Sequence, residues 1–128
     1  MDGGARGNPG PAAAAAVASD PEGGELAERN AYIGETTNNV AEYRAVLLGL
    51  ELARELGASG VEVVNDSELV AKQISGEYRV KNKGLQPLYL ETMAALRGFD
   101  EWKVRSVRRE SNERADELVN EALDERGR

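Results

Sequence analysis

The chain has 128 residues, a length for one domain spanning 1–128, with 41% hydrophobic and 30% charged residues. It holds no cysteine and no histidine. That excludes disulfides, thiolate and imidazole metal sites, Ser-His-Asp triads and a histidine proton shuttle. Acid–base or metal chemistry would have to come from carboxylates, Lys, Tyr, backbone and bound water. The net charge of −7 speaks against broad attraction to phosphates. It fits either a solvated acidic surface or carboxylates gathered for divalent cations. No apolar run reaches the length of a membrane span and no secretion signal opens the sequence. The expected location is cytoplasmic, with no membrane partner.

Residues 1–11, MDGGARGNPGP, read as a Gly/Pro-rich turn. The small apolar run 12–18, AAAAAVA, lies between that turn and the breaker Ser19-Asp20-Pro21-Glu22-Gly23-Gly24. Alanine favours helix in isolation, yet the short length and the flanks predict a buried strand and a hairpin turn. Residues 25–33 would return as a second strand. The clearest helix covers 36–56. Thr37, Asn38 or Asn39 can cap it, Val40, Tyr43, Val46, Leu47 and Leu50 recur at helical spacing, and Gly57 ends it. VEVV at 61–64 predicts a short strand, and 66–75 a helix capped by Asp66 or Ser67 and stopped by Gly76. After a basic loop at 77–84, Pro87 opens a helix to about Arg97. Residues 101–107 alternate like a strand. Residues 112–125 form a last helix, capped by Ser111 or Asn112. A hairpin followed by alternating elements implies an α/β fold with a mixed sheet and helices on its faces.

Four acidic residues stand at element ends or first turns: Asp2, Glu42, Asp66 and Asp116. Side chains there can converge on a shared cleft. Hard divalent cations take oxygen ligands of this kind, and two such ions can clamp the attacking and leaving oxygens of a phosphodiester. The same placements also suit plainer roles. Asp66 and Asp116 would stabilise helix N-termini, and Glu42 would sit on a helix surface.

The flanking residues carry more. DGGARGNPGP at 2–11, TTNNVAEYRAVLLGLELA at 36–53, NDSELVAKQISGEYRVKN at 65–82 and NERADELVNEALD at 112–124 resemble, in order, the successive motifs of type 1 ribonuclease H. The resemblance covers almost the whole chain. It implies a mixed five-stranded sheet with helices on its faces. It also implies a metal-dependent endonuclease that hydrolyses the RNA strand of RNA–DNA hybrids to 5′-phosphate and 3′-hydroxyl ends. Two Mg²⁺ ions, for which Mn²⁺ often substitutes, would be held by Asp2, Glu42, Asp66 and Asp116 as metal ligands and catalytic residues. An RNA–DNA hybrid is told from DNA by its 2′-hydroxyls. By resemblance, Gly3, Gly4, Asn8, Asn38 and Asn39 line the minor groove and Glu68 touches the RNA strand. Thr37 and Asn82 form the polar pocket for a DNA-strand phosphate, with Arg6 near it. The expected molecule is a monomer.

Three departures from the family pattern stand out. Met1 directly precedes Asp2, where the family places several apolar residues of a central strand, so the first strand is expected to be shortened. A loop histidine before the last helix is absent, and Arg108-Arg109-Glu110-Ser111 occupies its stretch. Arg109 and Glu110 are the candidates for its loop role, as in a histidine-free subgroup. The basic helix and loop of longer members are also absent, leaving Arg79, Lys81 and Lys83. Weak, salt-sensitive hybrid binding is expected from so few cations. Two alternatives remain beside the hybrid endonuclease. One also cuts double-stranded RNA. The other is a weakly active or non-catalytic nucleic-acid-binding module.

Overall fold

The computed structural model describes residues 1–126. Ten elements follow one another: β1 (Asp2–Ala5), β2 (Gly10–Ser19), β3 (Glu25–Thr36), α1 (Asn38–Glu55), β4 (Gly60–Asn65), α2 (Glu68–Ile74), α3 (Gln86–Leu96), β5 (Glu101–Ser106), a 3-10 turn (Arg109–Asn112) and α4 (Glu113–Arg126). The expected α/β class is present. No helix of the described residues is long and apolar enough to cross a membrane.

The alanine run is the hinge between helix propensity and tertiary demand. Ala12 to Ala16 are each no more than 1% exposed because they form the middle of β2, covered on both faces. Alternation along a strand sends successive side chains to opposite sides. Ala13 and Ala15 meet Leu118, Val119, Ala122 and Leu123 of α4, and α1 packs on the other face of β2. Small side chains suit a strand packed by a helix on each face. Burial on both faces therefore overrides the local preference for helix.

β1, β2 and β3 are antiparallel, with Asp2 opposite Ala15 and Ala5 opposite Ala12. β4 and β5 are parallel, Gly60 opposite Glu101 through Asn65 opposite Ser106, and α2 and α3 supply the crossover that parallel strands need. The chain runs from α2 into α3 through residues 75–85 with no inserted helix. The main core joins Tyr43, Val46 and Leu50 of α1 to Val63 of β4, Val70 and Ile74 of α2, and Leu88 and Leu96 of α3.

Two expectations need refinement. DGGA belongs to β1 and not to the opening turn, which is confined to 6–9. The five strands form hydrogen-bonded sets of three and two. β1 is short, and Met1 reaches across from it: its nitrogen donates to the Val64 carbonyl at 3.0 Å. Asn112, expected to cap the last helix, instead donates its amide to the Met1 carbonyl at 2.6 Å. A 3-10 turn leads into α4 in its place.

Candidate active site

Asp2 opens β1, Glu42 lies in the second turn of α1, and Asp66 follows the last residue of β4. One carboxylate oxygen from each falls within 4.8 Å of the other two. α4 brings Asp116 to the same cleft, a cavity of about 420 Å³ also lined by Gly3, Gly4, Asn38, Asn39 and Arg109. The four carboxylates singled out in the sequence thus share one cleft, with three of them tightly grouped.

Local structure explains the convergence. β1 can run against α1 only because residue 3 is glycine: a Cβ there would stand 2.1 Å from the Ala41 carbonyl oxygen. That close approach lets the Gly3 N–H donate to Glu42 Oε1 at 3.4 Å. Thr37 caps α1, its hydroxyl accepting from the Val40 N–H. Asn38 Oδ1 accepts from the Ala5 N–H at 2.8 Å, and Asn8 Oδ1 accepts from the Asn38 N–H at 3.1 Å. Those two asparagines therefore fasten the 6–9 turn to the start of α1.

The electrostatics follow from burial and crowding. Asp2 and Glu42 are 6% and 8% exposed. Burial, then the Asp66 charge and the Asp116 hydrogen bond, pushes the Asp2 carboxyl up to about 7. Burial, then the charges of Asp2 and Asp66, pushes Glu42 up to about 9. Asp66 Oδ2 is buried without a hydrogen-bond partner, and the exposed Arg109 guanidinium lies 3.8 Å from it. A buried polar oxygen without a hydrogen-bond partner is costly. Together with two neighbouring carboxyls held back from ionising, it forms a site short of positive charge. An all-oxygen donor set of this kind fits hard divalent cations.

Other expected site residues lie elsewhere. Glu68 is exposed on α2 and pairs with Lys72 at 2.6 Å. Asn82 precedes α3 and turns its Oδ1 to the Gly84 N–H. Thr37, Asn8 and Glu110 do not line the carboxylate cleft, whereas Arg6 lies on its rim, bound to Asp124 at 2.7 Å. Sequence reading passed over three residues. Ser67 and Asn120 line the cleft, and Asn65 sits behind it, 1% exposed. The signal for Asn65 was an amide at an inward position of a β-branched strand, directly before Asp66.

Comparison with known proteins agrees with this geometry. A family model described as reverse transcriptase-like matches residues 1–122. Ribonuclease HI of Halobacterium salinarum is 44% identical over 125 residues, covering 98% of this chain and 63% of that protein. A bifunctional protein of Mycobacterium tuberculosis is 44% identical over 124 residues, covering 96% of this chain and 34% of that one. The chain thus spans about two thirds and one third of the length of these relatives. The crystal structure of the halobacterial ribonuclease H1 superposes with a TM-score of 0.94 at 44% identity, over 97% of this chain and 94% of that one. A second ribonuclease H1, LC11, crystallised in complex with an RNA/DNA hybrid, gives a TM-score of 0.94 at 44% identity, over 99% and 96% of the two chains. By family model, sequence and fold, the chain belongs to the reverse transcriptase-like family, in its type 1 ribonuclease H group.

Proposed function

We propose that this chain is a divalent-metal-dependent endonuclease that hydrolyses the RNA strand of RNA–DNA hybrids, leaving 5′-phosphate and 3′-hydroxyl ends. The observation that carries the reading is the group of Asp2, Glu42 and Asp66 oxygens within 4.8 Å of one another, with Asp66 Oδ2 lacking a hydrogen-bond partner among the described residues. The structural relative crystallised with an RNA/DNA hybrid supports the substrate class.

Asp2, Glu42, Asp66 and Asp116 would hold two Mg²⁺ ions, with Mn²⁺ as substitute. Bound there, the ions would lower the pKa of an attacking water and offset charge on the leaving oxygen. The protein's share is positioning. β1, α1, the turn after β4, and α4 each deliver one carboxylate to one cleft. Gly3, Gly4, Asn38 and Asn39 form the cleft wall, where backbone groups and amides can both donate to and accept from a 2′-hydroxyl. Asn8 supports that wall through Asn38. Thr37 and Asn82 serve the DNA strand, and Glu68 the RNA strand, from outside the carboxylate cleft. Arg109 reaches the cleft from the 3-10 turn, which makes it the stronger candidate, over Glu110, for the loop role. The chain acts as a single cytoplasmic domain and as a monomer, and double-stranded RNA is a second substrate to be tested.

The test is cleavage of a labelled hybrid in Mg²⁺ and in Mn²⁺, beside a matched RNA duplex, with Asp66→Asn as control. Cleavage of the hybrid by the native chain, abolished in the variant, is expected. A folded native chain that leaves the hybrid intact in both metals would overturn the reading in favour of a binding module.

A further inference from the structure

The inward positions of β4 are Val61, Val63 and Asn65. The first two join the apolar core. A hydrophobic residue is the packing choice for the third, yet an amide stands there at 1% exposure. Both of its ends are engaged. Oδ1 accepts from the Ser67 N–H at 2.8 Å, closing the turn that carries the chain from β4 past Asp66 into α2. Nδ2 donates to Glu42 Oε2 at 3.4 Å. Reversing the amide would set its NH₂ against the Ser67 N–H, a donor facing a donor in a buried place, so its orientation is fixed. Glu42 is consequently gripped from two sides, by the Gly3 N–H of β1 on Oε1 and by Asn65 of β4 on Oε2.

We propose that Asn65 is a positioning residue: a single amide that sets the Glu42 carboxylate relative to the turn presenting Asp66, and so fixes the spacing of two cation ligands delivered by different elements. The proposal rests on the metal-dependent reading above. It extends that reading to a residue that touches neither cation nor substrate.

Two variants separate its two contacts. Asn65→Ser keeps an oxygen that can accept from the Ser67 N–H in a serine turn, but is too short to reach Glu42. Asn65→Ala removes both contacts. Mn²⁺ binding by calorimetry, thermal melting, and kcat and KM for the metal are measured on all three proteins, together with a metal-free crystal structure of Asn65→Ser. We expect roughly tenfold weaker Mn²⁺ binding in both variants, the scale of outer-shell partners that orient metal ligands. Asn65→Ser should melt closer to the native chain than Asn65→Ala, and its activity should return at raised Mn²⁺, so that KM for the metal rises while kcat is kept. In the metal-free crystal its Glu42 carboxylate should leave the native position. Native Mn²⁺ affinity in Asn65→Ser, with Glu42 unmoved, would overturn the proposal and leave Asn65 a turn-forming residue. If the native chain itself bound no Mn²⁺, the metal-dependent reading would fail, while the position of Glu42 in the variant crystal would still decide what Asn65 does.

Discussion

Asp2 and Glu42 are costly to ionise in the folded chain, and that cost gives the metal-free protein a pH dependence of definite sign. Their folded pKa values, about 7 and about 9, stand above the ordinary 3.8 and 4.5, so between those limits the folded state binds more protons than the unfolded state. Stability from these two groups is complete at acid pH and drains as pH rises through their folded values. Glu28 and Glu68, held below their ordinary values by Arg114 and Lys72, act in the opposite sense in the acid range, and the Met1 ammonium, lowered by burial, acts in the opposite sense toward pH 8, but the two raised carboxyls outweigh this one amine. The melting temperature in EDTA is therefore expected to fall from about pH 5 to pH 9. Mg²⁺ or Mn²⁺ at pH 8 should restore it, and Glu42→Gln should flatten the decline. A flat or rising EDTA profile over that range would contradict the raised carboxyls. This is also where the sequence was legible and where it was not. Spacing alone placed Asp2, Glu42, Asp66 and Asp116 at element ends, and the flanking motifs supplied the reason to group them. Asn65 escaped notice because its role depends on a partner 23 residues away, which strand alternation cannot reveal.

At the scale of elements, the site depends on how closely β1 and α1 approach. Gly3 is the point of contact, since a Cβ there would stand 2.1 Å from Ala41 O and 2.6 Å from Glu42 N. These are backbone atoms of a helix and cannot step aside as a flexible side chain would. Gly3→Ala must push β1 away from α1, taking Asp2 away from Glu42. We expect a loss of about 2–3 kcal/mol, at the upper end for overpacking, or a fall in melting temperature on the order of 10 °C. Mn²⁺ binding should weaken as well. A melting temperature within about 2 °C of native would show that the two elements have slack. The sequence carried little warning here, because Gly3 sits in a run that reads as a turn. It read α1 well, since Thr37, the helical spacing and Gly57 agree with one another, and Gly57 does take φ +77° after the helix. It misread Asn112, a good cap by type, because Met1, distant in sequence, engages both ends of the amide: its carbonyl accepts from Nδ2 and its nitrogen donates to the Oδ1 that would have capped.

On the scale of the whole molecule, the two strand sets are joined by very little. β1 pairs with Ala12–Ala15, so among the described residues β2 continues from Ala16 to Ser19 with no strand paired on its β1 side, and the Met1–Val64 bond reaches across to β4. Between them lies a groove of about 890 Å³, lined by Val17, Ala18 and Ser19 on one edge and Val61, Val63 and Val64 on the other. Leu26 and Leu56 also line it, at 57% and 47% exposure. Two facing strand edges with unpaired backbone groups and an apolar floor are a template for one more strand. A segment leading into Asp2 in line with β1 would run antiparallel to β2, and the Met1–Val64 bond marks where it meets β4. Attaching about four β-branched residues before Met1 should therefore join the strands into one mixed sheet. It should raise the melting temperature by about 5 °C or more, as expected for a net gain of one to two kcal/mol in a chain of this size. A Gly-Ser extension of equal length is the control, because it offers the same backbone with little apolar surface and a higher ordering entropy. A rise with the β-branched segment alone would mean that packing in the groove drives the pairing, and Mn²⁺ affinity should rise with it, since Asp2 would then be anchored from both sides. No rise with either segment would mean that the facing edges are too far apart, or too well solvated, to accept a strand.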